Sequence, residues 1–140
     1  MTLIVDTGGL LSVLEGNQAD HAEFLDAVRT HPGPRLLSPL VVAELDHLIL
    51  DRYGRDQQIA ALEEIEAAYH IEAFTNSDLR RARELCSRYA DLTSFDLADA
   101  SCVVLAERHD SFDILSTDQR DFRAIVGSNE RTFRILSYDL

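Results

Sequence analysis

Four carboxylates lie at positions in the sequence where an uncharged, buried side chain would be expected. Asp6 directly follows the apolar residues 3–5, and Asp118 follows the strand-like stretch "FDILS". Glu44 and Asp99 lie in helix-like segments, on the same stripe as apolar residues three or four positions away. A carboxylate on the buried side of an element needs a partner, a proton or a metal ion. If the chain brings these acids together, they predict a metal site.

Each acid also has an ordinary structural interpretation. Asp6 and Asp118 stand where a helix begins, so either side chain can serve as an N-cap. Glu44 can reach solvent from the margin of its stripe. Asp96, one turn before Asp99, is typical of a first-turn acid that complements the helix dipole. For each acid taken alone, the structural and the functional interpretation both stay open.

Converging carboxylates would predict a cation that prefers oxygen ligands. Two unit charges about 4 Å apart repel by ~4 kcal/mol at an effective dielectric near 20, so a cluster needs a cation or captured protons. Oxygen ligands without paired His or Cys suit Mg²⁺, with Mn²⁺ as a substitute, and do not suit zinc. The histidines show no zinc-like spacing, and we expect them at the surface: His21, His31, His47, His70 and His109.

The charge of the chain limits its chemistry. There are 25 acidic and 13 basic residues, for a net charge of −12, and every basic residue is an arginine. Such a chain repels phosphates at long range, so nucleic-acid chemistry would require a metal or a local arginine patch. The missing lysine excludes Walker-type nucleotide hydrolysis, which needs a lysine on the phosphates. Response-regulator receivers also rely on a lysine and are excluded with it.

The elements that must position the acids alternate between strand and helix. With 140 residues and 46% apolar residues, the chain is expected to form one domain over residues 1–140. About five short strands separated by helices predict an α/β fold with a central parallel sheet and helices on both faces. No apolar run reaches the roughly 18 residues of a membrane span. The expected strands lie near 2–6, 35–37, 69–74, 112–116 and 132–136, and the expected helices near 8–15, 18–30, 39–53, 56–68, 78–89 and 95–109, with a short helix beginning in "TDQRDF".

Four motifs in this order carry a resemblance to a known family: "IVDT", "SPLVVAEL", "DLADASCVVLAE" and "ILSTDQRDF". Together they resemble the PIN-domain ribonucleases, and most of all the VapC toxins of bacterial toxin–antitoxin pairs. The resemblance covers nearly the whole chain and implies a single PIN-like domain. One departure is Gly8-Gly9, where bulkier residues are more usual.

The resemblance also implies roles for individual residues. It makes Asp6, Glu44, Asp99 and Asp118 the catalytic, metal-binding acids. Asp121 matches a further acid that family members often place near the last of these. Thr7 stands where the family commonly has a Ser or Thr that orients the attacking water or the first aspartate.

The implied activity is Mg²⁺-dependent endoribonuclease cleavage of RNA phosphodiesters in the cytoplasm. Arg120 and Arg80 are then candidates for RNA contact, although Arg80 also has the spacing of an ion-pair ladder with Glu84. A small antitoxin and a homodimer are the implied protein partners.

Two other classes compete with this interpretation. A haloacid-dehalogenase-type phosphatase would need an Asp at position 8, where this chain has Gly8. A catalytically silent PIN-like binding module would keep the fold and lose the metal. The presence of all four acids argues against the second without proving turnover.

Overall fold

Five short parallel strands form the centre of the computed structural model, which describes residues 1–139. Helices cover both faces of this sheet, so the expected α/β architecture is confirmed. The strands are β1 (Leu3–Val5), β2 (Arg35–Leu37), β3 (His70–Ile71), β4 (Asp113–Leu115) and β5 (Arg134–Leu136). The helices are α1 (Thr7–Leu14), α2 (His21–Thr30), α3 (Pro39–Tyr53), α4 (Arg55–Ala68), α5 (Asn76–Arg88), α6 (Leu97–His109) and α7 (Gln119–Ala124).

The strand order brings distant parts of the chain to one edge of the sheet. The order is β3-β2-β1-β4-β5, with every neighbouring pair parallel, so the direction of chain progress reverses between β1 and β4. Val5 pairs with Leu115, and the Asp6 N–H donates to the carbonyl of Leu115 at 3.1 Å. The carboxyl ends of parallel strands at such a reversal form the usual ligand crevice of α/β sheets. Asp6 therefore lies at this crevice.

Local signals set the helices that carry the other acids. Ser38 caps α3 by accepting a hydrogen bond from the Leu40 N–H (3.1 Å), and Pro39 occupies the first turn. Gly54, with φ of 88°, separates α3 from α4 in a conformation that other residues rarely adopt.

None of the helices within residues 1–139 combines the length and the apolar character that a membrane crossing requires.

Helix α6 is buried along most of its length. Its seven buried residues run without interruption over 100–106. It packs against α5, α3 and β1. Because the buried run starts directly after Asp99, this acid lies where the core ends and the crevice begins.

The third strand is much shorter than its sequence suggests. Residues 69–74 alternate like a strand, but only His70–Ile71 pair with β2, and both are exposed. The strand lies at the edge of the sheet, so it has a partner on one side only. The N–H of Glu72 donates to Leu37 at 3.0 Å, and the chain then leaves the sheet toward α5.

The expectation that all histidines are at the surface is wrong for His31. This residue is 6% exposed, and its Nε2 lies 2.9 Å from Asp113 Oδ2. Its Nδ1 accepts a hydrogen bond from the Gly33 N–H at 3.0 Å, so Nε2 carries the proton and donates to the carboxylate. Arg134 donates two further hydrogen bonds to Asp113, at 2.9 and 2.8 Å. The imidazole is therefore fully satisfied inside the protein.

Candidate metal centre

Asp6 is both a helix cap and a buried acid that makes no ion pair with any of residues 1–139. It is 4% exposed, and its Oδ1 accepts the Gly9 N–H at 2.8 Å as the N-cap of α1. Its Oδ2 accepts the Ser116 hydroxyl at 2.5 Å. Burial raises the pKa of Asp6 from 3.8 to about 7, and the negative charges of Asp118 and Glu44 add to the rise. The two interpretations of this acid are thus compatible.

Asp99 shows the same combination at the start of α6. One of its oxygens accepts the Asp96 N–H at 3.1 Å, while Asp96 accepts the Asp99 N–H at 3.0 Å, which makes a capping box. Burial is the largest cause that raises the pKa of Asp99, to about 8, and the charges of Asp96 and Asp6 contribute. Asp96 itself is exposed and serves as the N-cap.

Asp118 and Asp121 form the third part of the site, at the start of α7. Asp118 Oδ1 accepts the Asp121 N–H at 2.9 Å, and burial raises the pKa of Asp118. Asp121 is fully buried, and its Oδ2 accepts the Ser94 hydroxyl at 2.7 Å. Its Oδ1 is buried and has no hydrogen-bond partner within the described part of the chain.

Asp99, Asp118 and Asp121 converge in a carboxylate cluster, as we call these three residues. One oxygen from each lies within 4.8 Å of the others. The nearest basic group is Arg120, whose Nε is 4.0 Å from Asp121 Oδ1 and whose side chain is 77% exposed. One oxygen of each carboxylate accepts a hydrogen bond from a backbone N–H or from a serine hydroxyl. The acids are therefore fixed in position and only weakly neutralised.

Asp6 and Glu44 lie near this cluster but outside the 4.8 Å group. Glu44 is half-buried on α3 and has no hydrogen-bond or ion-pair partner among residues 1–139. Its negative charge still helps to raise the pKa of Asp6, and the charge of Asp6 helps to raise the pKa of Asp99. Thr7 begins α1 beside the site, and the hydroxyl that holds Asp6 comes from Ser116 instead.

Two serines at the site were missed by sequence reasoning. The hydroxyl of Ser116 donates to Asp6 and accepts the Asp118 N–H at 2.9 Å, so it ties the end of β4 to the residue after β1. A serine two residues before an aspartate that caps a helix was a usable signal, because such hydroxyls often bond nearby backbone groups. The contact of Ser94 with Asp121 spans 27 residues and had no local signal.

The residues present fit a divalent cation. The donor set consists of carboxylate oxygens, which Mg²⁺ and Mn²⁺ prefer. The orphaned Asp121 Oδ1 lacks the partner that a buried polar atom normally has. The raised pKa values of Asp6 and Asp99 reflect negative charge that is costly to bury without a compensating cation.

A cavity elsewhere in the protein lacks comparable chemistry. It has a volume of about 450 Å³ and lies beside α2 and β5, with Glu23, Asp26, His31 and Arg134 in its wall. His31 and Arg134 are already hydrogen-bonded to Asp113. The carboxylate cluster is the better candidate site because its charges have no such partners.

Comparison with known proteins gives a consistent picture. A family model described as PIN domain matches residues 3–127. Ribonuclease VapC26 from Mycobacterium tuberculosis is 33% identical over 124 residues, which are 88% of this chain and 91% of the relative.

Solved structures share the fold at low sequence identity. The structure of VapC20 from Mycobacterium tuberculosis, described as a sarcin-ricin loop cleaving toxin, matches with a TM-score of 0.75 at 19% identity, covering 84% of this chain and 91% of that one. VapBC2 from Rickettsia felis, bound to a DNA fragment from its promoter, matches with a TM-score of 0.72 at 13% identity, covering 96% and 98%. A toxin–antitoxin complex from Klebsiella pneumoniae matches with a TM-score of 0.67 at 18% identity, covering 99% of both chains.

Proposed function

The chain belongs to the PIN-domain family, among its VapC proteins, and from this premise we propose that it is a Mg²⁺-dependent endoribonuclease, the toxin of a VapBC-type pair. The observation that carries the proposal is the carboxylate cluster of Asp99, Asp118 and Asp121, each held by a hydrogen bond and, among residues 1–139, with Arg120 as its one ion-pair partner. The 33% identity to a protein named a ribonuclease supports the same activity.

The proposed cation site draws on four aspartates of the crevice. Asp99, Asp118 and Asp121 present oxygens that lie within 4.8 Å of one another, and Asp6 is assigned to the same site because its negative charge contributes to the raised pKa of Asp99. When bound, Mg²⁺, or Mn²⁺ in its place, supplies positive charge that stabilises the negative charge developing during phosphodiester hydrolysis. The carboxylates hold that charge in one place, since each is anchored by a backbone or serine donor.

Glu44 is the acid best suited to move a proton. It is half-buried, and no hydrogen bond or ion pair from residues 1–139 restrains its carboxylate. A free carboxylate beside the site can take the proton that the attacking water must lose. Ser116 keeps Asp6 in place during this step through its hydroxyl, which bonds both Asp6 and the backbone of Asp118.

The RNA must be held against a net charge of −12. Arg120 lies at the rim of the carboxylate cluster with an exposed side chain and is proposed to contact a phosphate. Arg80 is exposed on α5 and is proposed as a second contact. The ion-pair ladder is formed differently from the expected one, because it is Arg81 that pairs with Glu84 and Glu107, at 3.4 and 2.9 Å. Arg80 is thus left without a carboxylate partner within the described residues.

The proposed protein partners are an antitoxin and a second copy of the chain. Structural neighbours such as VapBC2 are themselves toxin–antitoxin assemblies, which supports a small antitoxin partner. An antitoxin arginine inserted at the crevice would pair with several carboxylates at once. Exposed Ile59 and Leu62 on α4, 47% and 37% accessible, suit a homodimer contact made by α3 and α4. The proposed site of action is the cytoplasm, where RNA and a small antitoxin would both be present.

A catalytically silent PIN-like module is the alternative and is not favoured. Such a module could dispense with unpaired buried carboxylates, which are costly to maintain. This chain keeps an orphaned Asp121 oxygen and two aspartates whose pKa values lie at about 7 and 8.

Four assays on the purified protein test the proposal. RNA cleavage is measured with Mg²⁺, with EDTA, and with the Asp6→Asn variant, and phosphatase activity is measured on a small monoester. We expect cleavage only in the first assay. Asp51→Asn is the matched control, because Asp51 is an exposed acid on α3, and it should cleave normally. Cleavage that survives EDTA would rule out the metal mechanism, and monoester hydrolysis would indicate a phosphatase instead.

A further inference from the structure

Gly8 and Thr117 make an unusually close contact at the rim of the site. A Cβ placed on Gly8 would lie 2.3 Å from Thr117 Oγ1, which is far inside van der Waals distance. The same point is 3.8 Å from Asp6 Oδ1. The Thr117 hydroxyl can therefore occupy this place beside Asp6 only because residue 8 has no side chain.

The neighbouring Gly9 has a different and purely structural reason to be glycine. A Cβ at this position would lie 2.2 Å from the carbonyl oxygen of Leu115, which belongs to β4 and cannot move aside easily. Gly9 thus allows α1 to pack on the backbone at the end of β4. Gly8 meets a side chain that could rotate away, so the packing of α1 alone does not require glycine there.

Thr117 is the exposed residue between two residues already engaged at the site. Ser116 is fully buried and donates to Asp6, while Asp118 belongs to the carboxylate cluster. Thr117 itself is exposed, and its hydroxyl makes no hydrogen bond to any residue in the range 1–139. A free hydroxyl that lies next to the acids and is open to solvent is available to a bound molecule.

We infer that Thr117 is a substrate-contacting residue whose hydroxyl, admitted to the rim of the site by Gly8, binds the ribose-phosphate backbone next to the cleaved bond. The inference rests on the proposed ribonuclease function. A hydroxyl both donates and accepts hydrogen bonds, so it can donate to a phosphate oxygen or pair with a ribose 2′-OH. It also binds without adding charge to a chain whose negative field already opposes RNA.

Cleavage kinetics of three variants test this role. Thr117→Val replaces the hydroxyl with a methyl group of similar size and should raise KM about threefold to tenfold, the range for a lost neutral hydrogen bond, with kcat unchanged. Thr117→Ser should restore KM because it restores the hydroxyl. Gly8→Ala should resemble Thr117→Val, because its Cβ would displace the hydroxyl. Thr132→Val, an exposed threonine away from the site, is the control and should behave as the unchanged chain.

Substrates with a single 2′-deoxy substitution beside the cleaved bond identify the atom that is bound. If Thr117 pairs with the 2′-OH, the deoxy substrate will raise KM for the unchanged chain and not for Thr117→Val. If it binds the phosphate, Thr117→Val will raise KM equally for both substrates. An unchanged KM in Thr117→Val with both substrates overturns the inference.

The controls separate this inference from the proposed function. If the unchanged chain cleaves RNA, Asp6→Asn does not, and Thr117→Val equals the unchanged chain, only the role of Thr117 is wrong. If the unchanged chain cleaves no RNA, the proposed function fails and the inference fails with it. Because Thr117 is exposed, the melting temperature of Thr117→Val should match that of the unchanged chain, so a kinetic change cannot be assigned to unfolding.

Discussion

Two buried aspartates of the same sheet experience opposite environments. Asp6 follows the end of β1 and is 4% exposed, and Asp113 begins β4 and is 9% exposed. Burial raises the pKa of Asp6 to about 7. The hydrogen bonds from Arg134 are the main cause that lowers the pKa of Asp113, and His31 adds to this effect.

Burial alone therefore does not identify a functional acid. At Asp113 the protein supplies a guanidinium and an imidazole, so the charge is satisfied and the contact serves the fold. At the other end of the strands, Asp6 and the carboxylate cluster are held by neutral donors and by backbone N–H groups. Buried acids that lack cationic partners and have shifted pKa values indicate a site that acts on something outside the chain.

The largest effect is expected from a substitution in the carboxylate cluster, at the carboxyl end of the strands. Asp99→Asn keeps an oxygen for the capping contact but removes the charge from the cluster, so RNA cleavage should fall by at least about 100-fold, beyond the usual effect of losing a supporting residue. The melting temperature should not fall, because a costly buried charge is removed. Cleavage assays and thermal denaturation measure the two effects. A loss of stability without a loss of cleavage would mean that Asp99 serves the fold, as Asp113 does, and not the reaction.

Proton binding by Asp6 and Asp99 should make the stability of the folded protein depend on pH. The folded pKa values of Asp6 and Asp99, about 7 and 8, exceed the usual 3.8, so the folded state binds protons that the unfolded state releases. This contribution to stability is complete below about pH 4 and is lost as the pH rises through 7 to 8, with a size on the order of a few kcal/mol. In EDTA, the melting temperature should therefore fall between pH 5 and pH 8.5.

Adding Mg²⁺ should restore stability at the upper end of this range, because a cation bound only by the folded state stabilises it. Asp99→Asn should flatten the pH dependence measured in EDTA, while Asp51→Asn should leave it unchanged. A melting temperature that does not vary with pH in EDTA would contradict the unsatisfied charge at this end of the sheet.

Asp113→Asn should have the complementary, smaller effect. It weakens the contacts to both His31 and Arg134, and we expect a loss of about 2 kcal/mol in the free energy of unfolding, since Arg134 is partly exposed and can be solvated. Urea denaturation measures this change. The cleavage rate below the melting transition should be unchanged. A strong loss of cleavage would mean that the contacts of Asp113 also support the carboxylate cluster.

Ser116→Ala should produce the smallest change. The Ser116 hydroxyl lowers the pKa of Asp6 against the effect of burial, so its removal should raise that pKa further. We expect the lower limb of the pH–rate profile to move up by about one unit, which corresponds to about 1.4 kcal/mol. Ser87→Ala, at an exposed serine of α5, is the control. An unshifted profile would mean that Ser116 acts only in folding.

Much of the fold was predictable because its signals are local. The Ser38-Pro39 start of α3, the Gly54 break and the apolar β1 depend on residues next to one another, and their bounds agree with the sequence to within one or two residues. The crevice was predictable because parallel strands place their carboxyl ends together. β3 was overestimated, because alternation in a sequence does not reveal that a strand lies at an edge.

The closeness of Asp99 to Asp118 was more predictable than the hydrogen bonds that hold the carboxylate cluster. The positions of Asp99 and Asp118 could be inferred from the elements that carry them. The closeness of Asp121, and the Ser94 hydroxyl that holds it, depend on how the loop before α6 packs on α7. Likewise, the contact of His31 with Asp113 joins residues 82 positions apart, and no local pattern could reveal it.

The reversal of strand order between β1 and β4 has a consequence for protein synthesis. Asp6 and the Ser116 that holds it are separated by 110 residues, so their contact can form only after most of the chain has left the ribosome. A nascent chain carries the first acid from the start but lacks the last two until synthesis is nearly finished. The candidate metal centre therefore cannot assemble on a nascent chain before Asp118 and Asp121 have been made.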